Sequence, residues 1–425
     1  TVTFTHQDGH RYVVPGYFAA DGDAAHSSAT SGSIWRAHLA PDAVGQWNWK
    51  VSFVQGENVA VDPSAAEPPV PGLDGLAGSF FVEPSDKSGR DFRGKGRLEY
   101  VGEHFLRFAG TGEYLLKGGV DAPENLLAYD DFDGTPNRNN RRKSWAPHAA
   151  DFDPAAADLL WGPNRDKGKN LLGAINYLAS EGLNVFSFLT FNVDGDDGNV
   201  FPHILSSDVA TYEAAPGKAQ EGTGWNHVHH TRFDVSKLDQ WERVFEYADR
   251  MGMYLHFKMG ETEVDQKMDG GDTGIERKVY TRELIARFGH HLALNWNMGE
   301  ENTQTTQQLD DWSAYIRATD PYDHNVVVHT FPNKHDAVYG PMLGMETLTG
   351  LSVQTSNPEF TEVYEVIKKW VRASAEAGKK WVVACDEPGD ATHALITDGE
   401  DPQHNNPRKN ALWGILMGGG AGVEW

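Results

Sequence analysis

Two short carboxylate motifs carry the residues best suited to chemistry. They are Leu292-Ala-Leu-Asn-Trp-Asn-Met-Gly-Glu300-Glu301-Asn302 and Trp381-Val-Val-Ala-Cys-Asp386-Glu387-Pro-Gly389. Each is an apolar run of strand length that ends in acids and glycine. Ionised carboxylates at the end of a buried strand need solvent or partners. Where strands alternate with helices, their ends collect at one rim, and reacting groups sit there. Two carboxyls facing each other across such a rim can cleave a glycosidic bond, one donating a proton and the other attacking or activating water. Glu301 and Glu387 are the expected reacting pair. Their neighbours Glu300 and Asp386 are alternates, because alternation along a strand turns adjacent side chains apart. The Glu300-Glu301 doublet suits an acid role, since one carboxylate raises the pKa of the next.

Other polar residues fall near expected strand ends or inside strands. Asn192 and Asp194 follow the second expected strand, His256 and Lys258 lie in the third, and Glu261 and Glu263 follow it. Trp296 and Asn302 flank the first motif, and His329 ends the fifth strand. Asn192, Asp194, His256, Lys258, Glu263, Trp296, Asn302 and His329 are therefore expected to line a substrate cleft. A Lys or His inside a strand needs a partner. Lys117 and Lys258 either meet substrate or pair with acids such as Asp121, Glu261 or Glu300. The basic run Asn137-Arg-Asn-Asn-Arg-Arg-Lys143, if folded over the rim, suits an anionic polysaccharide. His227, His229 and His230 in Asn226-His-Val-His-His230 offer metal ligands, but without a motif such as His-Glu-x-x-His. A substrate-lining or solvated loop is the favoured reading there. Asp194-Gly-Asp-Asp-Gly198 lacks the spacing of a calcium loop. No cofactor or metal is expected.

The elements that must position these groups alternate between strand and helix from about residue 106. Strands are expected at Tyr114–Gly118, Asn184–Phe191, Tyr254–Met259, Leu292–Met298, Asn325–Thr330, Gly350–Thr355, Trp381–Cys385 and Ala421–Trp425. Amphipathic stretches such as Lys169–Glu181, Lys237–Met251 and Phe360–Ala377 separate them, with apolar positions at helical spacing. Asp234 is positioned to cap the helix that follows it. Eight such units over 106–425 match an α/β fold, the (β/α)8 TIM barrel. A doubly wound sheet is less apt, because no glycine-rich phosphate loop opens a helix. Residues 1–84 read as an all-β sandwich domain of short alternating runs broken by Gly, Pro, Asp and Asn, and 85–105 as a polar connector. The 425 residues exceed one usual core, so two domains are expected. A net charge of −24 argues against nucleic acid, and no run approaches a membrane span. The single Cys385 excludes an internal disulfide framework. The chain stops on its last expected strand without a closing helix, so a truncated C-terminal end is expected.

The order of modules resembles bacterial polysaccharide-degrading proteins that join an immunoglobulin-like domain of unassigned function to a clan A glycoside hydrolase barrel. The resemblance runs over nearly the whole chain. It rests on Asp234-Val-Ser-Lys-Leu-Asp-Gln-Trp-Glu242, Leu255-His-Phe-Lys258, Asp269-Gly-Gly-Asp-Thr-Gly-Ile-Glu-Arg-Lys278, Gly299-Glu-Glu-Asn302 and Asp386-Glu-Pro-Gly389. It implies a retaining enzyme with the acid/base carboxylate ending strand four and the nucleophile ending strand seven, which are Glu301 and Glu387 here. The clan's usual Asn-Glu is Glu300-Glu301 in this chain, so Glu300 takes the place of the Asn. It also implies that Trp425, at strand eight, floors the sugar subsite, that the substrate is a polysaccharide or oligosaccharide, and that the protein is secreted, periplasmic or on the cell surface. Two other readings compete: a non-catalytic carbohydrate-binding protein on a degenerate barrel, and a metal-dependent hydrolase or lyase using His227–His230.

Overall fold

The computed structural model describes residues 1–62, 64, 68–216, 223–389, 397 and 399–425. The N-terminal part is built on β1 (Val2–His6), β2 (Arg11–Val14), β3 (Tyr17–Phe18), β4 (Trp35–Arg36), β5 (Gly45–Val51) and β6 (Ala77–Val82), with a one-turn helix α1 (Ala24–Ser27). One antiparallel sheet has the order β2-β1-β5-β6, and β3 pairs with β4 separately. A single four-stranded sheet and a short pair are fewer strands than the seven of an immunoglobulin sandwich. Phe4, Val14 and Trp47 are buried on one face of that sheet. Its tryptophans are thus partly core, as strand-like runs require.

The expected connector contains β7 (Leu98–Tyr100) and β8 (Leu106–Phe108), an antiparallel pair. Its Leu98, Leu106 and Phe108 pack with Phe92 against Val185, Tyr254, Ala293 and Val382. Those last four start barrel strands, so the pair plugs the bottom of the barrel. Arg107 bridges to Tyr114, and the Leu115 N–H bonds to Leu106. The stretch expected to open the first barrel strand therefore belongs to the plug, and the strand begins three residues later.

The barrel is closed and parallel. Its strands are β9 (Lys117–Asp121), β10 (Val185–Leu189), β13 (Tyr254–Lys258), β14 (Leu294–Asn297), β15 (Asn325–Thr330), β16 (Gly350–Gln354), β17 (Val382–Glu387) and β18 (Gly422–Glu424), in the order β10-β13-β14-β15-β16-β17-β18-β9. A hairpin of β11 (His203–Leu205) and β12 (Val228–Phe233) is inserted after the second barrel strand. The helices after α1 are α2 (Lys169–Ser180), α3 (Val209–Ala214), α4 (Val235–Met251), α5 (Ile275–Phe288), α6 (Thr306–Thr319), α7 (His335–Tyr339), α8 (Val363–Glu376) and α9 (Trp413–Met417). Helix α4 starts where expected, with Asp234 accepting the Lys237 N–H at 3.1 Å. Strand alternation divides the barrel wall. Trp296, Phe257 and Cys385 face outward into the helix layer and the main core, while polar and charged side chains face inward.

Candidate active site

Two departures from regular strand geometry bring the acids together. Along β17 the register passes from Val353↔Cys385 to Gln354↔Glu387, so Asp386 is the extra residue of a β-bulge. A bulge sets neighbouring side chains on the same face. Asp386 and Glu387 consequently both project into the barrel, at different depths. After β14, Gly299 has φ +141° and Glu301 φ +47°. The Glu300 N–H bonds to Gly260 at 2.9 Å. This extends the strand edge by one residue before Glu301 turns the chain.

The upper layer is the candidate site. Glu300, His329 and Glu387 bring donor atoms within 4.8 Å of one another. His329 Nε2 is 3.6 Å from Glu387. Lys258, fully buried, contacts Asp121 and Glu300 at 2.7 Å each. Glu301 stands further out and accepts a hydrogen bond from Gln354 Nε2 at 3.0 Å. Burial, then the Asp121 carboxylate, push Glu387 up to about 8, with Lys258 pulling the other way. Burial also raises Glu300 and, less completely enclosed, Glu301. Burial and the Lys258 charge hold His329 well below its usual range, so it is a neutral imidazole at neutral pH.

A lower layer supports it. Lys117 lies 2.5 Å from both Asp386 and Glu424. His256 contacts Glu424 at 2.9 Å and Asn297 at 3.0 Å. These groups are closed off from solvent, so His256 and Asp386 hold the floor and do not meet substrate. Lys117 and Lys258 both pair with barrel acids.

Several residues expected to bind substrate hold loops instead. Trp296 is buried outside the barrel wall and donates to Asp320 at 2.9 Å, because strand alternation turns it away from the cleft. Asn192 bonds to the Glu124 carbonyl at 2.7 Å and to the Val200 N–H at 2.9 Å. Asp194 accepts N–H groups of Gly224 and Trp225 at 2.7 and 3.1 Å. Asn302 ties Met298 to Gln304 in its own turn. Each is a short polar side chain whose bonding is completed by backbone. Trp425, half-buried at the rim, meets Phe360 edge-on at 6.1 Å.

The competing metal reading of His227, His229 and His230 finds no such cluster among the described residues. His229 is exposed and His230 lies flat on Trp225, with centroids 3.9 Å apart, and contacts Glu276 at 2.7 Å. The three histidines are absent from the converging donor groups found among the described residues. The cations that an anionic glycan would meet, had the basic run folded freely over the rim, are also occupied. Arg138 is buried and donates to the Val193 and Ala215 carbonyls at 2.8 and 2.6 Å. Arg141 and Arg142 donate to the backbone of Asp196 and Thr135. Around this upper layer the rim is instead acidic. Glu263, Glu124 and Asp196 add to burial in raising Glu261, and Glu263 and Asp196 do the same for Glu301.

Sequence reasoning did not place Asp121, Gln354 and Glu424 in the cleft. Asp121 was hidden by the early start given to the first strand. Gln354 and Glu424 had a usable signal, a polar residue ending an apolar strand.

A family model described as a domain of unknown function (DUF5060) matches residues 1–54. No curated protein matches the chain in sequence. Among solved structures, a glycoside hydrolase candidate from Bacteroides vulgatus ATCC 8482 matches with a TM-score of 0.60 and 15% identity, over 100% of this chain and 66% of that one. A glycoside hydrolase family 5 structure from the same organism matches at TM-score 0.45 and 16% identity, over 78% of this chain and 61% of that one. A family 5 mannosidase from Rhizomucor miehei matches at 0.46 and 11%, over 79% and 86%. The chain thus spans just under two thirds of the first two structures. At 15% identity the first likeness shows a shared fold, the N-terminal module followed by the barrel.

Proposed function

We propose that the chain is a retaining glycoside hydrolase acting on an uncharged polysaccharide outside the cytoplasm, with Glu387 as nucleophile and Glu301 as acid/base. The observation that carries this reading is the placement of Glu387, at the end of barrel strand seven, opposite the Glu300-Glu301 doublet that ends strand four. Glu300 and Glu387 approach within 4.8 Å, which brings the ends of strands four and seven together, and retention requires the Glu301 and Glu387 carboxyls to lie about 5–5.5 Å apart.

The roles follow from surroundings. Glu300 is buried and held by Lys258 at 2.7 Å, so of the three it is the least able to reach a leaving oxygen. Glu301 is accessible, has a raised pKa and has no cation at bonding distance among the described residues, which suits an acid. Glu387 must be ionised to attack the anomeric carbon, and Lys258 pulls it that way against the burial and the Asp121 carboxylate that raise it to about 8. Neutral His329 beside it adds no competing charge. Glu300 and Asp121 fix Lys258, and Gln354 orients Glu301. The resemblance to glycoside hydrolase barrels supports the same assignment, and the hydrolases among the structural neighbours are consistent with it.

An uncharged glycan is favoured, because cations beside the cleft are already engaged, Lys258 by Asp121 and Glu300, and Arg138 and Arg141 by backbone carbonyls. A metal-dependent reading would place an ion among Glu300, His329 and Glu387. Lys258 already supplies a positive charge 2.7 Å from Glu300, so that site has little need of one. The test is release of reducing ends from a panel of neutral polysaccharides, with and without chelator. Glu387→Gln and Glu301→Gln are each expected to lower turnover by about 10²–10⁴ with the fold intact. Full turnover in either variant contradicts the assignment, and loss of activity with chelator restores the metal reading. Binding without cleavage would instead support a degenerate, sugar-binding barrel.

A further inference from the structure

We propose that His38, His290 and Glu242 form a zinc-type divalent metal site at the seam between the N-terminal module and the barrel. His38 follows β4 in the module, Glu242 projects from α4, and His290 follows α5. His38 Nδ1 lies 3.2 Å from His290 Nε2, and His290 Nε2 lies 3.0 Å from Glu242 Oε1. The three donor atoms are within 4.8 Å of one another. Bonds of about 2.0–2.1 Å in a tetrahedron place neighbouring ligand atoms roughly 3.3 Å apart. The ligand set of two imidazoles and one carboxylate, with a position left for solvent, is one that zinc accepts.

The surrounding bonds orient these groups. Tyr17 Oη is 2.7 Å from His38 Nε2, which leaves Nδ1 facing His290. Asp249 holds His291 Nδ1 at 2.8 Å, and His291 Nε2 steadies the second Glu242 oxygen at 3.3 Å. Such outer partners fix the rotamers of metal ligands. The nearest arginines have carboxylate partners, Arg36 with Asp239 and Arg287 with Glu283.

Protein hydrogen bonds alone satisfy the cluster poorly. One hydrogen on His290 Nε2 would have to serve both Glu242 and His38. The buried His290 Nδ1 has no hydrogen-bond partner among the described residues. A cation coordinated by Nε2 removes the first conflict. Because its ligands come from two parts of the fold, the ion would also tie the module to the barrel, and its binding would add to stability.

The test uses the full chain stripped with a chelator. Calorimetric titration with Zn2+ is expected to show one ion bound per chain and a rise in melting temperature. Co2+ in its place should give the visible bands of a tetrahedral site. His290→Ala is expected to weaken Zn2+ binding by at least about 100-fold, whereas Glu387→Gln should bind as the wild type does. His38→Gln supplies the same comparison should His290→Ala not fold. Absence of Zn2+ binding by the wild-type chain, or undiminished binding by a folded His290 or His38 variant, overturns the proposal.

Discussion

Glu387 sits where carboxylates outnumber cations. Asp121 and Glu300 share Lys258 with it, so the group retains a proton near neutral pH. In the folded chain Glu387 reaches about 8, above its unfolded value, so the folded state binds the extra proton. Stability should therefore fall as pH rises between roughly 4.5 and 8, where only the unfolded state has released it. Glu387→Gln removes this cost. Its melting temperature relative to wild type should be higher at pH 8 than at pH 5, by the equivalent of about 1–3 kcal/mol. Equal differences at both pH values would contradict the reading. Lys258→Met should act the other way, costing about 3–5 kcal/mol, because Asp121 and Glu300 lose their buried counter-charge. Thermal unfolding of that variant checks it. At this scale the sequence marks Glu301, Glu387, His329 and the barrel lysines, because a titratable side chain on or beside a barrel strand demands a reason. It was uninformative for Asn192, Asp194 and Asn302. Their loops take up their hydrogen bonds, and a short polar residue looks the same whether it serves a loop or a sugar.

The elements were legible wherever periodicity and caps agreed. Helix α4 begins at Asp234 as its capping pattern indicates. Asp234→Ala should cost about 1 kcal/mol in a denaturation curve and leave kcat unchanged, since the residue lies away from the cleft. Strand β9 was displaced because Tyr114–Leu116 are equally suited to a strand, and pairing with the plug decides between the two. The bulge at Asp386 was not legible. Simple alternation predicts that Asp386 and Glu387 diverge, and only the pairing to β16 reveals the extra residue. That bulge matters for function, since it lets Asp386 secure Lys117 below while Glu387 faces the cleft. The less favoured metal reading of His227–His230 falls for a related reason. β12 alternates, and His230 is more stable against Trp225 and Glu276 than beside His229.

At the scale of the molecule, the net charge of −24 and the acidic rim point the same way. A neutral polysaccharide should be turned over faster than its sulfated derivative, read as reducing ends under matched conditions. Faster turnover of the sulfated form would contradict the reading of the rim. The barrel was legible as a whole because eight strand–helix units admit few arrangements. The N-terminal module was legible only as β-rich, since short strands do not reveal whether they form one sheet or two. The central claim is tested most directly by mass spectrometry of the Glu301→Gln variant, quenched during reaction with an activated aryl glycoside of a sugar the wild type cleaves, whose leaving group departs without protonation. A glycosyl adduct on the peptide carrying Glu387 is the predicted result. No adduct, or one carried by Glu300 or Asp386, would contradict it.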